Sequence, residues 1–123
     1  MNEILNFEFK GKAYTIEYPN VGKYRQIEIL KQSVSMGQYG NLFRTMTRQS
    51  EESLDMVDME AYFSTLCPKI LKDLKIDTFN ELSLIDCRTL KKAYQEQFVP
   101  WWNEIEEMLR PEPKKVKEDE EQG

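Results

Sequence analysis

Leu5-Asn6-Phe7-Glu8-Phe9 and Tyr14-Thr15-Ile16-Glu17-Tyr18 are the two stretches whose reading decides the fold. In each, apolar and polar side chains alternate, which is the period of a strand with one buried face. Lys10-Gly11 lies between them. A two-residue loop there sets Phe7 opposite Tyr14 and Leu5 opposite Ile16, with all four on one face. A three-residue loop would set Phe7 against Thr15 and mix the faces, so the shorter loop is expected. Residues 4–18 are therefore predicted to form a β-hairpin. An isolated two-stranded ribbon is marginal in water. Its apolar face must lie on the segments that follow or on another chain.

Those segments read as helices. Asn20 can cap a first helix running to about Met36, with Gly37 as its stop. Tyr24, Ile27, Leu30 and Val34 share one face, and Lys23 and Lys31 fall in the same arc, where they can snorkel at its edges. Ile29 and Met36 point elsewhere and make a second, small apolar patch. Tyr39, Leu42, Phe43 and Met46 have the i, i+3, i+4, i+7 spacing of a short helix. Thr47–Ser53 is polar and reads as a loop, with Ser50 or Ser53 able to cap the next helix. That helix is expected over Leu54–Cys67. It is apolar on two sides (Met56, Met59, Phe63, Leu66; then Leu54, Val57, Ala61), so it is either central or shared with a partner. Pro68 opens a further turn with Ile70, Leu71 and Leu74, and Asp77-Thr78 breaks it. Phe79, Leu82 and Ile85 are expected to pack around a short turn.

The last helix carries the strongest periodic signal. Cys87, Leu90, Tyr94, Phe98, Trp101, Ile105 and Met108 fall within about 80° on a wheel of roughly 100° per residue. Pro100 sits in their midst, where it removes a backbone hydrogen bond and crowds the carbonyl of Glu96. The stripe keeps phase across the proline, which points to one kinked helix. The alternative is a new helix with Pro100 in its first turn. After Leu109 the pattern stops: Arg110-Pro111-Glu112-Pro113 ends the helix, a basic run follows, and Glu118-Asp119-Glu120-Glu121 is acidic. Residues 110–123 hold one apolar side chain, Val116, and are expected to be a disordered charged tail.

Composition narrows the function. The 123 residues carry 17 basic and 22 acidic side chains, a net charge of −5. The charges are interspersed, without the basic stripe of a nucleic-acid binder, and the scattered lysines and arginines argue against an acidic nucleic-acid mimic. No stretch approaches the ~18 apolar residues of a membrane span. Met1-Asn2-Glu3 lacks the start of a secretion signal. The chain is thus expected to be soluble and cytoplasmic, with neither nucleic acid nor membrane among its partners. It contains no histidine. That removes Ser-His and Cys-His nucleophile pairs and most zinc sites. With no other nucleophile or metal pattern, no enzymatic activity and no cofactor are expected.

The remaining motifs read blandly. Two isolated thiols do not make a zinc site, and Cys87 on the apolar stripe reads as a core thiol. Glu51, Glu52, Asp55, Asp58 and Glu60 lack the pattern of a calcium loop and suit a solvated helix start, where the macrodipole is positive. Gly37-Gln38-Tyr39-Gly40 lacks the lysine of a phosphate loop. Trp101-Trp102 is more informative. Adjacent helical residues lie about 100° apart, so both cannot face one core. Trp101 lies on the stripe and Trp102 beyond its edge, where it either packs under the hairpin or another helix or serves as an interface anchor. Trp102, Ile29 and Met36 are the candidate partner-binding residues.

The layout resembles the tail assembly chaperones of long-tailed, siphovirus-type bacteriophages over residues 4–109. The likeness is carried by Phe7-Glu8-Phe9-Lys10-Gly11-Lys12, Tyr14-Thr15-Ile16, Pro19, Val21-Gly22, Glu28, Gly37-Gln38-Tyr39-Gly40, Leu66-Cys67-Pro68 and Phe98-Val99-Pro100-Trp101. The resemblance implies a non-enzymatic protein that keeps the long tape measure protein soluble while the tail tube assembles, and that associates with itself. It also implies two product lengths through ribosomal frameshifting, for which Pro113-Lys114-Lys115 is a candidate slippery site. The alternatives are a virion structural protein, such as a tail completion or connector subunit, and a small protein-binding regulator. The fold expected is α+β: one domain over residues 1–109, with a hairpin (4–18) packed on a mainly α-helical bundle of four to five helices (20–109).

Overall fold

A computed structural model describes residues 3–45 and 47–109, the side chain of Phe43 excepted. The expectations for Met46, for the Phe43 side chain and for the tail at 110–123 lie outside the described residues.

Strands β1 (Ile4–Phe9) and β2 (Lys12–Glu17) form an antiparallel hairpin. Phe7 pairs with Tyr14 and Leu5 with Ile16, the register the alternation predicts. Lys10 and Gly11 both have positive φ, 52° and 78°. This is the left-handed turn whose twist matches that of paired strands. Phe7, Phe9, Tyr14 and Ile16 are buried, and the face they form lies on the chain's own helices.

Asn20 caps α1 (Val21–Val34), its Oδ1 accepting from the Lys23 N–H at 2.9 Å. The helix ends where Met36 and Gly37 take positive φ. A short α2 (Tyr39–Thr45) follows. Next, α3 (Arg48–Leu66) begins six residues before the expected Leu54. The polar stretch read as a loop is its first turn. Thr47, rather than Ser50 or Ser53, is the cap: its Oγ1 accepts from the Ser50 N–H, while Ser50 Oγ accepts from the Thr47 N–H. This reciprocal box satisfies two orphan donors, and loss of such a cap costs about 1 kcal/mol. Pro68 occupies the first turn of α4 (Pro68–Leu74), which Lys75 terminates in the left-handed conformation.

The two apolar stripes of α3 are explained by its central place. It touches α1, α2, α4 and the following helix, and Phe63 meets Phe7 of the hairpin at 5.2 Å. Phe79 is buried in a short 3₁₀ turn at Phe79–Glu81, but Ile85 is exposed, against expectation. It lies in the first turn of α5 (Leu84–Ala93), on the side away from buried Leu90.

Pro100 does not start a separate helix. The chain runs from α5 through a π turn (Tyr94–Phe98) into α6 (Val99–Leu109), with right-handed helical dihedrals at Ala93, Tyr94 and Val99. The Val99 N–H reaches back five residues to the Tyr94 carbonyl. This widened turn carries the helix past the missing proline N–H. It also changes the phase. At roughly 100° per residue Trp102 would stand about 120° from Leu90, but a π turn absorbs one residue and brings it back to about 20°. Leu90, Tyr94, Phe98 and Trp102 therefore form the buried row, and Trp101 is displaced to its edge.

Candidate functional site

That phase change overturns one candidate. Trp102 is only 6% exposed. Its ring lies 4.7 Å from Tyr62, 4.9 Å from Tyr18 and 5.4 Å from Phe98, inside an aromatic cluster. It is a core residue rather than a surface anchor. Trp101, placed on the core stripe by the wheel, is half-buried. Ile29 and Met36 are 60% and 85% exposed. They stand on α1 and on the turn that ends it, and with Trp102 inside the core the three do not make one surface.

A larger apolar surface lies where the open end of the hairpin meets the start of α1 and the end of α6. Two cavities of about 340 and 210 Å³ adjoin there and share Tyr18 and Leu109. Val21 and Leu109, 70% and 67% exposed, stand on it with Tyr24 and Met108. Tyr18 is its fixed floor. Its ring packs against both tryptophans, and its hydroxyl donates to Glu106 at 3.3 Å. Burial, with Glu106 alongside, pushes the Tyr18 phenol up to about 12. Periodicity does not find this surface, because it assembles from three separated segments.

The second feature is charged. Lys31, expected to snorkel at the edge of α1, is buried. Its ammonium lies 3.2 Å from Glu28, 3.8 Å from Asp58 and 3.3 Å from the Tyr62 hydroxyl, over the Tyr62 ring at 4.9 Å. Tyr39 donates to the same Asp58 at 2.7 Å, tying α2 to α3. Burial works against the Lys31 charge, but Asp58 and its neighbours outweigh it and the lysine is held above its ordinary value. Burial pushes the Asp58 carboxyl up despite the Tyr39 bond and Lys31. The sequence signal was present in a lysine inside an apolar arc; its partner on α3 was not visible.

The other motifs have structural roles. Asp58 leaves the acidic segment for this network, and Glu60 accepts from the Phe79 N–H at 3.3 Å. The segment is thus only partly the solvated helix start expected. Cys67 and Cys87 are unpaired thiols; Cys87 is half-buried rather than fully in the core, with its sulfur 3.2 Å from that of Met56. Among the described residues, no group of three or more His, Cys, Asp or Glu could hold a metal ion, and no helix is long and apolar enough to cross a membrane. Comparison with protein-family models, curated proteins and solved structures finds no match for the chain.

Proposed function

We propose that this chain acts by offering apolar surface to other polypeptides, as a non-enzymatic tail assembly chaperone of a long-tailed bacteriophage. Its client is the tape measure protein, and it also associates with its own copies in the host cytoplasm. The observation that carries this reading is the surface around Tyr18 and Leu109, where large apolar side chains remain exposed beside two cavities. Exposed apolar surface of this kind marks protein-binding sites. Ile29 and Met36, exposed on α1 and on the turn after it, are further contact residues in this reading.

Co-expression with the tape measure protein of the same phage tests the reading. The client should stay soluble and co-purify with the chain. Val21→Ser with Leu109→Ser should abolish co-purification while leaving the circular dichroism spectrum unchanged. A client equally soluble with and without the chain overturns the proposal. Mass spectrometry of purified virions separates the chaperone from a tail completion or connector subunit: the chaperone is absent from finished particles, and its presence there in stoichiometric amount favours the structural protein.

A further inference from the structure

A cleft of about 340 Å³ opens between α3 and the C-terminal helix, and none of its lining residues belongs to the surface around Tyr18 and Leu109. Tyr62, Tyr94, Phe98 and Trp102 form its apolar wall, and Asp55 and Asp58 stand on it from successive turns of α3. The two carboxylates are not equally engaged. Asp58 accepts from Tyr39 at 2.7 Å. Among the described residues, Asp55 has two long contacts, Gln95 Nε2 at 3.4 Å and Lys91 Nζ at 3.7 Å. A carboxylate offers about four acceptor positions, so Asp55 retains capacity for a stronger donor.

Such a lining selects its occupant. An anion would be repelled, and a purely apolar group would strip water from the carboxylates without replacing it. A group with an apolar stem and a cationic head satisfies both halves. The protein already makes this pairing once: the Lys31 ammonium lies over the Tyr62 ring and beside Asp58, although Lys31 does not line the cleft.

We propose that the cleft receives a lysine side chain from a partner polypeptide, its methylenes on the aromatic wall and its ammonium on Asp55. This rests on the reading of the chain as a protein-binding protein and names a chemical feature of what it binds. Lys91, at 3.7 Å from Asp55, is the internal competitor that the incoming ammonium displaces.

The test is a titration of the isotopically labelled full chain, followed through the amide signals of Asp55, Gln95 and Asn103 and the Trp102 indole signal. The probes are n-butylammonium chloride, n-butanol as its neutral counterpart, and sodium chloride at matched ionic strength. Saturable shifts are expected with the amine alone. Asp55→Asn should weaken them about tenfold, the effect of one charge-assisted contact, and Lys91→Gln should strengthen them. Equal response to butanol, or an Asp55→Asn variant that binds as well as the parent, overturns the proposal; Lys91→Gln serves if Asp55→Asn does not fold. A helical peptide bearing one lysine should bind where its norleucine counterpart does not. A free amine that binds while this peptide fails would make the site one for small amines and overturn the assignment to a polypeptide. A tape measure protein equally soluble with and without the parent chain, with amine binding intact, would overturn the chaperone reading and leave this site standing on its own. Co-purification of the client with no amine binding would leave the chaperone reading standing without it.

Discussion

The side chain of Gln97 pairs with both backbone groups of Glu8. The Glu8 N–H donates to Gln97 Oε1 at 2.8 Å, and Gln97 Nε2 donates to the Glu8 carbonyl at 2.9 Å. One amide side chain in the π turn thus continues the hydrogen-bonding pattern of β1 and binds the hairpin to the C-terminal helix. Edge strands present unpaired groups that must be satisfied or protected. Gln97→Ala should cost about 1–2 kcal/mol in urea unfolding and speed hydrogen exchange at the Glu8 amide. Unchanged exchange at Glu8 would mean that the amide pairing does not hold in solution.

The adjacent tryptophans should separate sharply. Trp102→Ala removes a buried ring from an aromatic cluster and should cost about 3–5 kcal/mol. Trp101→Ala, at a half-buried position, should cost less than half as much. Denaturant unfolding of the two variants decides the point, and a larger loss at Trp101 would place the π turn elsewhere in the helix.

Lys31 and Asp58 should behave as a coupled pair. Lys31→Met leaves the Asp58 carboxylate, only 21% exposed, without its cation, and should cost about 2–3 kcal/mol. Asp58→Asn keeps an acceptor for the Tyr39 hydroxyl and removes the charge. The double variant should therefore lose less than the sum of the two, with a coupling energy of about 1–3 kcal/mol from a thermal or denaturant cycle. Simple additivity would show that the two charges do not interact.

Alkali should unfold the protein through its tyrosines. Burial raises Tyr14 to about 12 with help from Asp73, and raises Tyr18 to about 12 with help from Glu106. Tyr24, Tyr39, Tyr62 and Tyr94 are also raised, burial first in each case. Above pH 10 the unfolded chain loses phenol protons that the folded chain keeps. Unfolding thus releases protons, and stability falls as pH rises from about 10 to 12. Tyrosinate absorbance should appear in one cooperative step together with loss of helical circular dichroism. Independent titration of the tyrosines with the helix intact would contradict this burial pattern.

Legibility in the sequence followed the range of the interactions. The register of the hairpin depends on a loop of two residues and on strict alternation, both local, so Phe7 and Tyr14 could be paired from the chain alone. The two apolar sides of α3 showed that it is either central or shared with a partner, and its contacts with the chain's own helices make it central. The start of α3 was missed because Thr47-Arg48-Gln49-Ser50 has no apolar period, although its cap geometry holds it in the helix.

By itself, the sequence determined an α+β chain with a hairpin of defined register, a helix apolar on two sides and an apolar stripe that keeps phase across Pro100. Tertiary structure decided which tryptophan is core, because a wheel assumes a constant turn and the π turn at Tyr94–Phe98 adds a residue to one of them. It decided that Lys31 is buried, because the carboxylate and ring that hold it come from α3, some thirty residues away. It decided also where apolar surface stays open, at Tyr18 and Leu109, since that surface exists only once the hairpin, α1 and α6 have met.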